Sequence, residues 1–137
     1  MNHDIVSLNQ KFSFQDDSNQ LRIVLGEGDI PVVEIINDQA SARISLQGAH
    51  LLSWIPKDED EVLWLSEVAS FKPGKSIRGG IPICWPWFGA HAKNENFPAH
   101  GFARTVMWNV VKTEALEDGR TRISFSLNLA DYSEWWP

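Results

Sequence analysis

The sequence predicts a mainly β domain, built as a sandwich or barrel. Three observations predict it. Short apolar runs alternate with polar residues between turn signals. No segment of ten or more residues carries a capped apolar stripe at helical spacing. The one long stretch between the alternating runs, residues 71–102, is rich in Gly, Pro and aromatics and has no period of either 2 or 3.6. A chain of 137 residues is one domain at most, and 43% apolar residues, with 11% aromatics overall, can fill its core, which argues against disorder.

The elements follow in order. KFSF (11–14), LRIVL (21–25) and residues 32–36 read as strands, separated by the turn signals DDSN and GEGD. ARISL (42–46), then Gly48, then HLLSWI (50–55) ending at Pro56 reads as a hairpin, or as a bent strand with a glycine bulge. KDEDE (57–61) is an exposed acidic turn, and VLWL (62–65) another short strand. Residues 71–102 read as a structured loop, and a loop of that length inside a compact domain is usually functional. Residues 108–111 and 120–129 alternate again around a turn at Glu117, Asp118 and Gly119, which predicts a second hairpin.

Charge and cysteine usage narrow the function classes. A net charge of -6 argues against general nucleic-acid binding, which needs a basic footprint to release counterions. A single cysteine, Cys84, cannot form an internal disulfide; lying in an apolar run, it reads as an inert core thiol. The first ten residues place Asp4 and polar side chains where a signal peptide has its apolar stretch, so the cytoplasm is the expected compartment. The most apolar stretch, residues 81–90, contains Pro82 and Pro86 and is far shorter than the roughly 20 residues a spanning helix needs, so no membrane partner is expected.

The charge is uneven. Within residues 71–104, Lys72, Lys75, Arg78, Lys93 and Arg104 stand against Glu95 alone, a local balance of +4 that leaves -10 elsewhere. A cationic island in an acidic protein gathers small anions without inviting polyanions; chance clustering of solvated side chains is the other reading.

Within the island, Arg78 precedes Gly79 and Gly80, residues that let backbone approach a ligand while the guanidinium grips an oxyanion; an exposed arginine on a glycine turn is the plain alternative. Trp85, Trp87 and Phe88, stiffened by Pro86, form either a sugar-stacking platform or core. His100 and Arg104 put an imidazole and a guanidinium four positions apart beside Gly101, for binding, catalysis or structure. His3, His50, His91 and Cys84 lack metal-ligand spacing, so no metal is expected. Gly26-Glu27-Gly28 is a turn and not a dinucleotide fingerprint.

Four blocks together, QGAHLLSW (47–54), LWLS (63–66), KSIRGGIPICWPWFG (75–89) and HGFAR (100–104) with Trp108, closely resemble the hexose-6-phosphate mutarotases, also called glucose-6-phosphate 1-epimerases, of the aldose 1-epimerase superfamily. The resemblance covers the chain from about residue 20 onward, so residues 20–137 are expected to form the N-terminal half of a galactose mutarotase-like β-sandwich. Residues 1–19 form a segment of unassigned role. It implies an isomerase that interconverts α and β anomers of a sugar phosphate without cofactor or metal. In such a reaction a carboxylate takes the C1 hydroxyl proton while a histidine protonates the ring oxygen.

Carried over, Arg78 binds phosphate or sugar, His100 hydrogen-bonds sugar oxygens, and Arg104 completes the anion site, with Trp87 at the platform. The family's general-acid histidine and general-base glutamate have no match here and are expected beyond Pro137, the chain being about half the usual domain. The apolar end at Trp135, Trp136 and Pro137 fits that expectation. A half sandwich would expose sheet edges and an inner face, so a homodimer or other association is expected. A non-catalytic sugar-phosphate-binding module is the alternative function.

Overall fold

The computed structural model describes residues 4–135. A helix α1 (Ile5–Phe12) leads into strands β1 (Phe14–Gln15), β2 (Asn19–Leu25), β3 (Pro31–Asn37), β4 (Ala40–Ser45) and β5 (His50–Pro56), which pair antiparallel in the order β1-β2-β3-β4-β5. After a long irregular stretch, β6 (Asn109–Ala115) and β7 (Thr121–Ser126) form a separate hairpin. The chain is thus mainly β, as expected. Both predicted hairpins are present, and residues 71–102 contain neither helix nor strand.

The main core lies between the layers. Leu21, Ile23, Val33, Ile35 and Leu46 from the five-stranded sheet meet Phe12 of α1 and Val110 of β6, with Ile123 and Phe125 of β7 packed against them. Polar side chains register the hairpin on the sheet. Thr121 Oγ1 accepts from Asn37 Nδ2 at 2.8 Å and donates to Asn19 Oδ1 at 2.6 Å, and Asn19 Nδ2 donates to the Arg120 carbonyl at 3.3 Å. Each buried polar group in that seam has a partner, which keeps its desolvation from counting against the fold. On the other face of the sheet a second, smaller core joins Val32, Leu52 and Ile77 with half-buried Leu65 and Phe71. Leu52 is the extra residue of a β-bulge, because Arg43 pairs with Ser53 and Ile44 with Leu51. The bulge comes from this register and not from Gly48, which lies in the turn before β5.

Three sequence expectations need correction. Lys11 and Phe12 belong to α1 and not to a strand. Asp4 caps that helix by accepting from the Val6 and Ser7 amides, and Ile5, Leu8 and Phe12 form its core-facing stripe. At eight residues the helix is shorter than the ten-residue window that a helical stripe was required to fill. Residues 62–65 do not form a strand; Leu65 makes only an isolated bridge to Gly79. Cys84 is half-buried and not a core thiol.

Helix α1 also protects the sheet edge. Beyond the two residues of β1, the Asn9 amide side chain takes the place of a neighbouring strand, accepting from the Ile23 N–H at 2.8 Å and donating to the Ile23 carbonyl at 2.7 Å. Asn9→Ala leaves both groups unpaired and is expected to destabilise the fold by about 1–3 kcal/mol in urea unfolding. A change within about 0.5 kcal/mol, the range of ordinary surface substitutions, would show that the helix is held by its apolar stripe alone.

Candidate functional site

The site is built around the turn between β4 and β5. Gln47 and His50 are fully buried there, and each reaches across to backbone of the long loop. Gln47 Nε2 donates to the Lys72 carbonyl at 3.2 Å and the Lys75 carbonyl at 2.8 Å, while its Oε1 accepts from the Gly74 N–H at 2.8 Å. One amide thus closes the 72–75 turn. Next to it Ile77 plugs the second core.

Arg78, Gly79 and Gly80 are then held group by group. The Arg78 carbonyl accepts from Ser66 N–H at 3.0 Å, the Gly80 N–H donates to the Trp64 carbonyl at 2.7 Å, and the Ile81 N–H donates to Leu51 of β5 at 2.9 Å. Gly80 has φ +64, and a Cβ there would fall 2.2 Å from the Leu51 carbonyl oxygen and 2.9 Å from His50 Nε2. Only a residue without a side chain fits. The Arg78 side chain is exposed beside this pinned backbone.

The second arm runs from Trp85 to Trp108. The Trp85 carbonyl accepts from the Phe102 and Ala103 amides at 3.0 and 3.1 Å, and a Cβ at Gly101 would lie 2.0 Å from that same oxygen. His100 and Gly89 clasp each other: His100 N–H donates to the Gly89 carbonyl at 2.8 Å, and Gly89 N–H donates to His100 Nδ1 at 3.0 Å. With Nδ1 accepting, neutral His100 carries its proton on Nε2, a donor suited to a ligand oxygen. The Phe88 ring, largely exposed, meets the His100 ring edge-on at 4.6 Å. Arg104 donates through Nη2 to the Ala99 carbonyl at 3.1 Å, while its Nε is buried without a partner.

The two arms meet at the β4–β5 turn. Gly48 N–H donates to the Val106 carbonyl at 2.8 Å, Trp108 N–H to the Leu46 carbonyl at 2.9 Å, and Gly48 packs directly on the Arg104 backbone. His50 stands between the arms, its Nε2 2.6 Å from the Gly79 carbonyl and its imidazole within the field of the Arg104 charge. So the structure gathers the Arg78 and Arg104 segments on one hub, with His100 tied to Arg104 through Ala99. Trp87 lies one step away, in an aromatic cluster: Phe97 stacks on it at 5.9 Å, His91 meets it edge-on at 4.6 Å, and its Nε1 donates to the Pro98 carbonyl at 2.8 Å. Tyr132 and Trp135 pack on Phe102 at 5.1 and 5.2 Å; Trp136 and Pro137 lie outside the described residues.

Sequence reading passed over Gln47 and His50 as site-building residues. The signal was two polar side chains in a turn between apolar strands, but their partners are 25 to 29 positions away in the chain. Among the described residues, no group of three His, Cys, Asp or Glu side chains is placed to hold a metal ion. No helix among them is long and apolar enough to cross a membrane.

Comparison with known proteins decides the family. Residues 31–137 match the aldose 1-epimerase family. The chain belongs to the aldose 1-epimerases. Two relatives, each named "putative glucose-6-phosphate 1-epimerase", are 44% identical over 110 residues in Salmonella typhimurium strain LT2 and 46% identical over 114 residues in Escherichia coli strain K12. These matches take in 80% and 82% of this chain and 37% of each relative. A crystal structure of a "putative mutarotase (YeaD)" from Salmonella typhimurium superposes with a TM-score of 0.74 at 36% identity, covering 97% of this chain and 45% of that one. The crystal structure of HI1317 gives 0.70 at 41% identity, covering 84% and 41%. The chain therefore spans about two-fifths of the relatives it matches.

Burial pushes the His50 imidazole below its ordinary value of 6.5; the Gly79 hydrogen bond opposes this, and the Arg104 charge adds to the lowering. Above pH 7 both folded and unfolded His50 are neutral and nothing is at stake. Below about 6.5 the unfolded chain takes up the proton first, so stability falls with pH until the lower folded value is passed. Between pH 8 and pH 5.5 the wild type is expected to lose more stability in urea unfolding than His50→Gln. Equal losses would mean that His50 does not titrate differently on folding.

Proposed function

We propose that this chain supplies the anion- and sugar-binding part of a glucose-6-phosphate 1-epimerase, an isomerase that interconverts the α and β anomers of a hexose 6-phosphate. The observation that carries the reading is the convergence of the Arg78–Gly80 segment and the Gly101–Arg104 turn on one buried hub within an otherwise acidic chain. Two guanidiniums suit a phosphate dianion, which accepts several charge-assisted hydrogen bonds at once. His100, held by Gly89 with Nε2–H available, suits a ring or hydroxyl oxygen. Trp87 and its neighbours supply the aromatic wall against which a sugar face can lie. No cofactor or metal enters this reading, because anomer exchange needs only a proton donor and a proton acceptor. A cytoplasmic setting belongs to it, since a charged phosphate ester crosses a bilayer poorly.

The test is a titration of the chain with glucose 6-phosphate, followed by 31P and amide NMR, with glucose as the uncharged control. Binding that requires the phosphate is expected. Arg78→Ala is expected to weaken it about 10–100-fold, the cost of one charge-assisted grip. No phosphate-dependent shift in the wild type would reject the reading. In the same samples, the rate at which the pure α anomer relaxes separates turnover from binding alone.

Self-association is part of the same proposal. Trp64, Val68 and Phe88 are 68%, 84% and 79% exposed, apolar surface that association would remove from water. Light scattering is expected to give a mass above 15.5 kDa. A clean monomer at high concentration would remove this part.

A further inference from the structure

We propose that His50 is a positioning residue that holds the Arg78 loop in register with Arg104, so that the two guanidiniums address one anionic group. The inference rests on the sugar-phosphate reading for its ligand, and on the geometry of the β4–β5 turn for its mechanism.

His50 is fully buried, and its Nε2 lies 2.6 Å from the Gly79 carbonyl oxygen. A carbonyl only accepts, so Nε2 is the protonated nitrogen of neutral His50. That bond acts on the Gly79–Gly80 peptide, one peptide beyond Arg78, in a stretch where Gly79 and Gly80 both have positive φ, at +111 and +64. Two glycines in succession would otherwise leave the direction of Arg78 loosely defined, because glycine retains more backbone freedom than any other residue. The pins from Trp64 and Ser66 come from the same irregular loop; from strand β5, the Leu51 carbonyl takes the Ile81 N–H and His50 takes the Gly79 carbonyl. It is therefore the side chain that ties the Gly79 carbonyl to the sheet.

The ring also lies within the field of the Arg104 charge. With Nε2 protonated, Nδ1 presents a lone pair, and it is buried with no partner. Arg104 Nε, a donor, is also buried with no partner, and Gly48, two residues before His50, packs on the Arg104 backbone. An unpaired acceptor and an unpaired donor are complementary in kind, and a neutral His50 adds no second positive charge near Arg104. One imidazole thus fixes the Gly79 peptide through one nitrogen and keeps a buried, unpaired acceptor at the other. Gly80 is what makes room for it, since a Cβ there would sit 2.9 Å from Nε2.

The experiment compares the wild type with His50→Gln, whose amide N–H can reach the Gly79 carbonyl, and His50→Leu, which fills the space without a donor. Ligand-free amide and arginine Nε–H spectra come first, then titration with glucose 6-phosphate. His50→Leu is expected to shift the Gly79 and Gly80 amides and the Arg104 Nε–H while the β2–β3 resonances stay in place, and to weaken binding about 10-fold or more. His50→Gln is expected to stay within about 3-fold of the wild type, less than the loss of one hydrogen bond.

Wild-type affinity in folded His50→Leu, or equal losses in both variants, would overturn the inference. If the wild type itself does not bind glucose 6-phosphate, the sugar-phosphate reading fails, and the ligand-free spectra decide the positioning role alone. An unmoved Arg104 Nε–H in His50→Leu overturns it there. Should His50→Leu not fold, His50→Asn, too short to reach Gly79, takes its place with the same expectations.

Discussion

The turn between β4 and β5 is the constraint on which the rest of the structure depends. It buries two polar side chains, Gln47 and His50, which would cost stability if left unpaired, and it satisfies them almost wholly with backbone groups of a loop that has no helix or strand of its own. The dependence is mutual. The loop needs the turn for its carbonyls and amides at residues 72–75 and 79, and the turn needs the loop to cover groups that water no longer reaches. Backbone from the same turn grips the second arm through Leu46 and Gly48. The hairpin that carries the turn is in turn held by a core on each face of the sheet, so the rigidity of the strands reaches the irregular segments through a few directed hydrogen bonds.

This arrangement explains why the irregular region keeps its shape near Arg78 and His100. A ligand site for a charged group profits from side chains whose backbone is fixed beforehand, because less freedom is lost on binding. Around Arg78 three consecutive residues have a pinned backbone group, and around His100 a reciprocal pair with Gly89 does the same work. Lys72, Lys75, Arg78 and Lys93 are left at the surface and Arg104 is half-buried, while Trp87 packs against Phe97 and Phe102. Charge and packing are thereby separated within one loop.

Local signals were legible wherever the physics is local. The strand after the DDSN turn, the hairpin around Glu117-Asp118-Gly119 and the cationic balance of residues 71–104 all follow from neighbouring residues, whereas of the run before DDSN only Phe14 lies in a strand. Helix α1 escaped because eight residues carry a stripe of only Ile5, Leu8 and Phe12, and because its stability comes largely from docking on the sheet through Phe12 and Asn9. Residues 62–65 look like a strand by composition, yet the outer edge of β5 takes only single bonds from this region: Val62 N–H to the Trp54 carbonyl, with Glu61 accepting from the Trp54 amide. Apolar character alone does not supply a partner strand.

By itself the sequence determined the mainly β class, the two hairpins, the irregular cationic stretch and, through four ordered blocks, the aldose 1-epimerase family to which the chain belongs. Those properties rest on periodicity, turn chemistry and ordered motifs, which are written along the chain. Only the tertiary structure decided that Gln47 and His50 hold the site together, that Gly80 and Gly101 are required by a carbonyl pressed against each, and that Arg78 and Arg104 hang on the same turn. Each of these is a contact between residues far apart in sequence. Its existence depends on which strand faces which loop, a choice made by burial of the two cores and satisfaction of the polar groups between them.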